Sequence, residues 1–491
     1  MCLPNRPTNL PRKFHCVILC SHNWIQASYS PVTIVDRRDF LALLGTLACA
    51  TPARCLGVQT LSEIAKPDVK LSISPVKLEI APGKIVETIG YNGSVPGPIL
   101  RFREGQNISI QVENQTQHPE LVHWHGLAIP SQVDGAMEEG TPLIPAHGTQ
   151  RYTFVPKPSG TRWYHTHGST GRDLKRSTYT GQFGFFYIEP KNNPAQYDAE
   201  VFLALHGWNG YLGTGGDADG TLDVIYKNFS VNSHSLGHGE PIRVRESQRV
   251  MFRILNASAT LTHQISFSGH KFSVVSLDGN AVPVPREVEI LELGPAERVD
   301  AIVTMNQPGV WVLGEVDEYI RRAGLGIMIE YANQNGEPKW IAPARAEWDY
   351  TIFGHTTDKS IPPAGETEHA EIIPLTFKKK FAGNRWVDYW TVNGKSFPKT
   401  DPIIVQSNKR YRLKFDNQSD EAQPVHFHRH SFELKSIAGK PTSGVLKDVV
   451  VVPATSVVEA EFVADNPGAT LFHCHQQLHM DFGFMTLFDY V

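Results

Sequence analysis

Apolar and polar residues alternate in short segments along most of this chain, as in ISIQVEN at 108–114 and RYRLKFDN at 410–417. Period two is the pattern of a strand with one face buried, because successive side chains point to opposite faces. Val, Ile, Thr and aromatic residues fill the apolar positions, Asn, Gly and Pro break the segments, and long runs of helix period are hard to find. The pattern predicts an all-β protein.

The alternation recurs within a longer unit that occurs three times. The copies are GYNGSVPGPILRFREGQNISIQVENQT, NFSVNSHSLGHGEPIRVRESQRVMFRILNAS and YWTVNGKSFPKTDPIIVQSNKRYRLKFDNQS. Each reads as an extended segment, a turn, a strand, a polar turn and a second strand ending at Asn. Each copy also closes alike, with SGTRWYHTHG, QPGVWVLGE and NPGATLFHCH. Three related β-domains follow, at roughly 70–190, 195–335 and 345–491, each expected to be two packed antiparallel sheets.

Four His-x-His pairs interrupt the apolar pattern: His123/His125, His165/His167, His426/His428 and His473/His475. On a strand, each pair presents two imidazoles on one face. All four lie in the first and third copies. Aligning HSFELKSIAG with HKFSVVSLDG sets Ser266 and Ser268 opposite His426 and His428, and places Leu313 and Glu315 opposite His165 and His167. The middle copy therefore keeps no ligand position, and the pairs predict a metal site shared by the outer domains. Eight neutral imidazoles suffice for three copper ions, and no carboxylate within the pairs favours a hard cation.

Cys474 lies between His473 and His475, so it faces away from them, into its own domain. A second copper held there by the thiolate, with His479 as another ligand, would be joined to the cluster through a few covalent bonds. Phe484 lies where a weak axial ligand would approach, with Met485 beside it.

Composition narrows the alternatives. The chain has 491 residues and a net charge of −4, with no basic stripe to bind nucleic acid. Five of its six cysteines, Cys2, Cys16, Cys20, Cys49 and Cys55, lie before residue 56, which leaves no disulfide framework for the body. Arg37-Arg38-Asp39-Phe40-Leu41, the apolar ALLGTLACA and the small-residue site Ala48-Cys49-Ala50 look like a twin-arginine export signal in residues 1–55. The expectation is a periplasmic or secreted protein with no membrane span when mature. Translation is expected to start near Val35. Cys49 leaves a lipoprotein open, although Thr46 and Leu47 fit a lipobox poorly.

HWHG, WYHTHG, PVHFHRHSF and the HCHxxxHxxxG motif together resemble those of three-domain multicopper oxidases, the laccase group, from about residue 70 to 491. The resemblance implies three cupredoxin-like Greek-key β-sandwich domains. It implies a type 1 copper that takes electrons singly from a reductant, and a trinuclear cluster that reduces O₂ to water. By motif, His123 and His426 would hold the type 2 copper. His125, His165, His167, His428, His473 and His475 would hold the type 3 pair. Cys474 and His479 would hold the type 1 copper. Asp134, in QVDG, matches the family's acidic residue near the cluster and would relay protons.

One position departs from the family. Three residues before His426 the family has a type 1 histidine followed by Pro; here the run is Gln423-Pro424-Val425-His426. His430 is expected on the same face as His426 and His428 and does not replace that ligand. Three outcomes are open: copper bound through Cys474, His479 and the Gln423 oxygen at an altered potential; copper bound weakly and lost; or electron uptake disabled. A carboxamide oxygen is a harder, weaker donor than imidazole, so atypical or impaired type 1 chemistry is expected. Phe484 supplies no sulfur as an axial ligand, which tends to raise the potential. Gln477 and Met480 stand where some relatives place glutamates.

The reading that results is a monomeric copper oxidase of phenols, aromatic amines or a metal ion. With seven methionines in the chain, Met-rich segments that would bind Cu(I) are missing. The competing readings are an exported binding or structural protein of the cell envelope with vestigial oxidase activity, and a copper nitrite reductase, whose usual subunit has two cupredoxin domains.

Overall fold

In the computed structural model, residues 66–192, 196–215, 220–344, 347–355 and 370–491 are described. The arginine pair, the early cysteines and the expected start near Val35 lie outside them. The described α-helices are single turns, Ser131–Asp134, Glu318–Arg322 and Gln477–Asp481. None of the described helices is long and apolar enough to cross a membrane.

Strands follow one another in three sets, each building two sheets. Val69–Ala81 through Phe183–Glu189 form a four-stranded and a three-stranded sheet. Ala199–Trp208 through Gly326–Tyr331 form a six-stranded and a five-stranded sheet, with a small two-stranded ribbon. Glu371–Lys380 through Met485–Tyr490 form a seven-stranded and a five-stranded sheet. The alternation behaves as expected: in Arg410–Asn417, Tyr411, Leu413 and Phe415 are buried, and Arg410 and Lys414 are exposed.

The sheets are mixed, which corrects the expectation of antiparallel ones. Val69–Ala81 runs parallel to Ile108–Asn114, Ala199–Trp208 to Arg249–Asn256, and Glu371–Lys380 to Arg410–Asn417. Between the partners the chain contributes a strand to the other sheet, at Leu100–Arg103, Ile242–Val244 and Ile403–Val405. It then returns in the direction it left, as a parallel pair requires.

The asparagine that ends each repeat has one job, done three times. Asn114 Nδ2 donates to the carbonyls of His118, Ile144 and Pro145, Asn256 Nδ2 to those of Leu261 and Leu293, and Asn417 Nδ2 to those of Glu421, Val452 and Pro453. The Oδ1 atoms accept from the amides of Thr116, Ser258 and Ser419. Each buried amide thus ties down the loop that leads into the next strand. In the first and third domains that next segment carries a histidine pair.

Pairing registers refine the comparison of repeats. His123 bridges His165, His426 pairs with His473, and Ser266 pairs with Gly314. The middle-domain counterparts of His165 and His167 are therefore Gly314 and Val316, one residue beyond the expected Leu313 and Glu315. Glu315 instead occupies the position of Cys474, and His263 that of Gln423. The middle domain still offers no histidine pair.

Candidate metal centre

Each pair is built at the end of a strand, where the chain turns. The first histidine of a pair is held in β-pairing: His123 by its bridge, His165 at the end of Gly160–His165, His426 in Gln423–Phe427 and His473 in Thr470–Cys474. The second histidine of every pair lies just past the strand. This corrects the picture of two imidazoles on one continuous strand, but the rings still lie side by side, with centroids 4.7 to 6.2 Å apart within the pairs. The residues between them point the other way. Trp124 is fully buried in the core of the first domain, and Cys474 in that of the third.

The eight imidazoles converge between the first and third domains. Donor atoms lie within 4.8 Å of one another in three groups: His123, His125 and His426; His125, His165 and His475; His167, His428 and His473. Each group mixes the two domains.

Hydrogen bonds decide which nitrogen six of the rings turn inward. Nδ1 of His123 donates to the Asp134 carbonyl at 2.9 Å, His165 Nδ1 to Thr166 O, His426 Nδ1 to Asp448 O and His473 Nδ1 to Cys474 O. His428 Nδ1 donates to Asp134 Oδ2 at 2.9 Å. Nε2 of His123, His167, His426 and His475 is buried without any protein partner. The Nε2 atoms of His428, His473 and His165 face other rings, at 3.1 Å between His428 and His473 and 3.4 Å from His165 to His125 Nδ1, whereas His125 Nε2 faces Asp448 Oδ1 at 3.1 Å. Burial, reinforced by neighbouring imidazoles, pushes His125, His165, His167, His426, His428 and His475 well below the ordinary imidazole value, and His473 down to about 3. Neutral rings with unshared lone pairs at the centre of a protein are a costly arrangement that bound metal ions satisfy.

Carboxylates surround this core. Asp134 Oδ2 lies 3.0 Å from His123 Nδ1 and 2.9 Å from His428 Nδ1. Asp134 ends the short helix Ser131–Asp134, and the next residue must be glycine. Gly135 has φ +99°, and a Cβ there would sit 2.0 Å from the Val122 carbonyl. Glu139 Oε1 lies 3.4 Å from His428 Nδ1 and accepts from Leu471 N at 2.6 Å. Burial, and then the charge of Asp134, raise its pKa well above the usual carboxylate range.

On the far side of Thr470–Cys474 the arrangement is different. Cys474 Sγ donates to Gln423 Oε1 at 3.3 Å, and His479 Nδ1 donates to the same oxygen at 2.8 Å. Burial pushes the thiol pKa up. His479 stands on Gln477–Asp481, its ring 4.1 Å from that of Trp390 and tilted by 31°, with Nε2 3.4 Å from Glu421 Oε2. Phe484 is buried against Phe377 and Trp390, and Met485 packs with Ala136, Leu471 and Met480. Among the described residues, Cys474 takes part in none of the groups of potential ligands.

His430 does not share the face of His426 and His428. Arg429 has φ +60°, which turns the chain, and His430 stacks on Phe427 and bonds Tyr490 Oη through Nε2. His270 in the middle domain does the same with Phe267 and Tyr331. Sequence reasoning overlooked Glu139, Asp448, Arg162 and Arg298. The available signal was a charge inside an apolar strand, as in GTRWYH, or just before one, as in KDVVVV.

Family models described as multicopper oxidase match residues 72–193, 179–322 and 373–491. The chain belongs to the multicopper oxidases. The enzyme is 29% identical to multicopper oxidase MmcO of Mycobacterium tuberculosis over 506 residues, covering 93% of this chain and 97% of the relative. It is 25% identical to multicopper oxidase mco of Staphylococcus aureus, covering 83% and 85%. Among solved structures, a multi-copper oxidase from Pseudomonas thermotolerans superimposes with a TM-score of 0.68 at 23% identity, over 87% of this chain and 100% of that one. A Botrytis aclada laccase does so with 0.69 at 20% identity, over 86% and 87%. The histidine groups of this multicopper oxidase are typical of copper sites in the family.

Proposed function

We propose that this oxidase couples the oxidation of a phenol, an aromatic amine or a metal ion to the four-electron reduction of O₂ to water, with an impaired type 1 site. The observation that carries the reading is the set of inward nitrogens, four of them buried and unpartnered. His123 and His426 would hold one copper, and His125, His165, His167, His428, His473 and His475 a facing pair. Copper bound there would supply the redox chemistry that the side chains lack. Asp134, between His123 and His428, would pass protons through Oδ2. Cys474 reaches His473 directly along the chain, and its carbonyl also accepts from His473 Nδ1.

The thiol side is where this chain departs from its family. Gln423 stands at the ligand position, and its oxygen already accepts from both Cys474 and His479. A fourth copper would have to break those bonds to reach a weaker donor than imidazole. This closure favours a second reading, an exported binding or structural protein of the cell envelope with vestigial oxidase activity. Twin-arginine export to the periplasm or beyond, a monomeric state and domain limits near 70–190, 195–335 and 345–491 complete the proposal.

Copper counting and the visible spectrum of the copper-loaded protein test it. Three coppers without an intense thiolate-to-copper band is the expected result. Four coppers with that band would remove the impairment, and absence of copper would defeat the oxidase reading.

A further inference from the structure

The middle domain contributes no imidazole, yet one of its arginines reaches the cluster. Asp448, from the third domain, accepts from His125 Nε2 through Oδ1 at 3.1 Å. Arg298, from the middle domain, grips both carboxylate oxygens, Nη1 to Oδ1 and Nη2 to Oδ2, each at 2.7 Å. Arg162, from the first domain, adds Nη1 to Oδ2 at 3.3 Å. The Asp448 carbonyl accepts from His426 Nδ1 at 2.8 Å. All five residues are 0% exposed.

Every remaining donor of Arg298 is occupied. Nε donates to Thr161 O, Nη1 also to Ala296 O, and Nη2 also to Asp278 O. A guanidinium with all five N–H groups bonded has one orientation, and so has the carboxylate it holds. The motif HWHG leaves room for this clamp. A Cβ on Gly126, at φ +82°, would lie 2.7 Å from Asp448 Oδ2 and 2.8 Å from Arg298 Nη2.

We propose that Arg298 is a positioning residue for the cluster: by fixing Asp448 it holds His125 by Nε2, so that His125 alone of the eight histidines turns Nδ1 inward. The other seven offer Nε2, either unpartnered or facing a neighbouring ring. The ligandless domain thereby acts on the site through the tautomer of one ring, set by the hydrogen bond on its other nitrogen. Only the consequence for copper rests on the reading given under the proposed function.

Nitrogen NMR of copper-free protein carrying ¹⁵N-histidine tests this directly, with His125→Gln used to assign the signal. His125 is expected as an Nε2–H imidazole in the unaltered protein and as a tautomer mixture in Arg298→Gln. Arg298→Lys keeps the charge without the fork and is expected not to restore the pure tautomer. Copper retention should fall about 10–100-fold in both variants, the usual cost of losing an outer partner of a metal ligand. Should these single variants fail to fold, Arg298→Met/Asp448→Leu removes both charges together, a change buried ion pairs often tolerate; it is expected to fold with a mixed tautomer. A pure Nε2–H His125 in any folded variant lacking Arg298, or rescue by lysine, would overturn the proposal. Because the tautomer is read without copper, it stands or falls separately from the oxidase reading.

Discussion

The middle and third domains fill the same two positions with different side chains and close both from within. In the middle domain they hold His263 and Glu315; in the third they hold Gln423 and Cys474. His263 Nδ1 donates to Glu315 Oε2 at 2.9 Å and its Nε2 accepts from Ser258 Oγ at 2.9 Å, all three residues being buried. Gln423 accepts from the thiol and from His479. Both sites are satisfied by the protein's own groups. The shared cluster is not, since four of its inward nitrogens have no partner and the other four face only one another. Satisfied polar groups stabilise a fold, whereas unsatisfied ones of matched chemistry make a binding site.

The comparison breaks most sharply in Glu315→Ala. Glu315 also accepts from the amides of Gln264 and Val316, so the variant orphans several buried donors. It should cost about 3–5 kcal/mol in urea melts while leaving copper per folded molecule unchanged. Loss of copper at unchanged stability would show that the middle pair serves the site.

Acid tests the cluster directly. Seven cluster histidines have folded pKa values below that of the unfolded chain, near 6.5. Below about pH 6.5 the unfolded state therefore binds more protons, and stability is lost as pH falls towards the folded values. Copper-free protein should therefore lose stability steeply between pH 7 and pH 5: each histidine contributes up to about 1.4 kcal/mol for each pH unit below 6.5, and together they rival the whole stability of a folded protein. Flat stability between these values would contradict the neutral rings.

Gln423→His should open the sealed thiol site. An intense visible band and at least about a tenfold rise in oxidase turnover are expected, since even outer partners of metal ligands shift activity by about 10–100-fold. An unchanged spectrum at full copper loading would mean that Gln423 is not what closes the site.

The smallest effect belongs to the paired structural histidines. His430→Gln and His270→Gln should each cost about 1 kcal/mol, the worth of one hydrogen bond, with copper content unaltered. A copper loss confined to His430→Gln would make that residue part of the site.

Much of this was legible in one dimension. Period-two alternation announced strands because burial on one face is a local property of the chain. The histidine pairs and the lone Cys474 were visible because i, i+2 spacing fixes relative direction wherever a strand forms. The closing strand of the middle domain was misread by one residue, since only cross-strand hydrogen bonds define which positions face each other.

The sequence by itself determined the three repeats, the empty middle copy and the imidazoles that meet in the outer domains. The carbonyl of the next residue orients His165 and His473, but tertiary structure decided which nitrogen His125, His426 and His428 turn inward. That choice depends on carbonyls and carboxylates brought from distant parts of the chain: Asp134 to His428, Asp448 to His125, Arg298 to Asp448. A tautomer is set by the hydrogen bond on the opposite nitrogen, and those partners lie as far as 323 residues away in the chain.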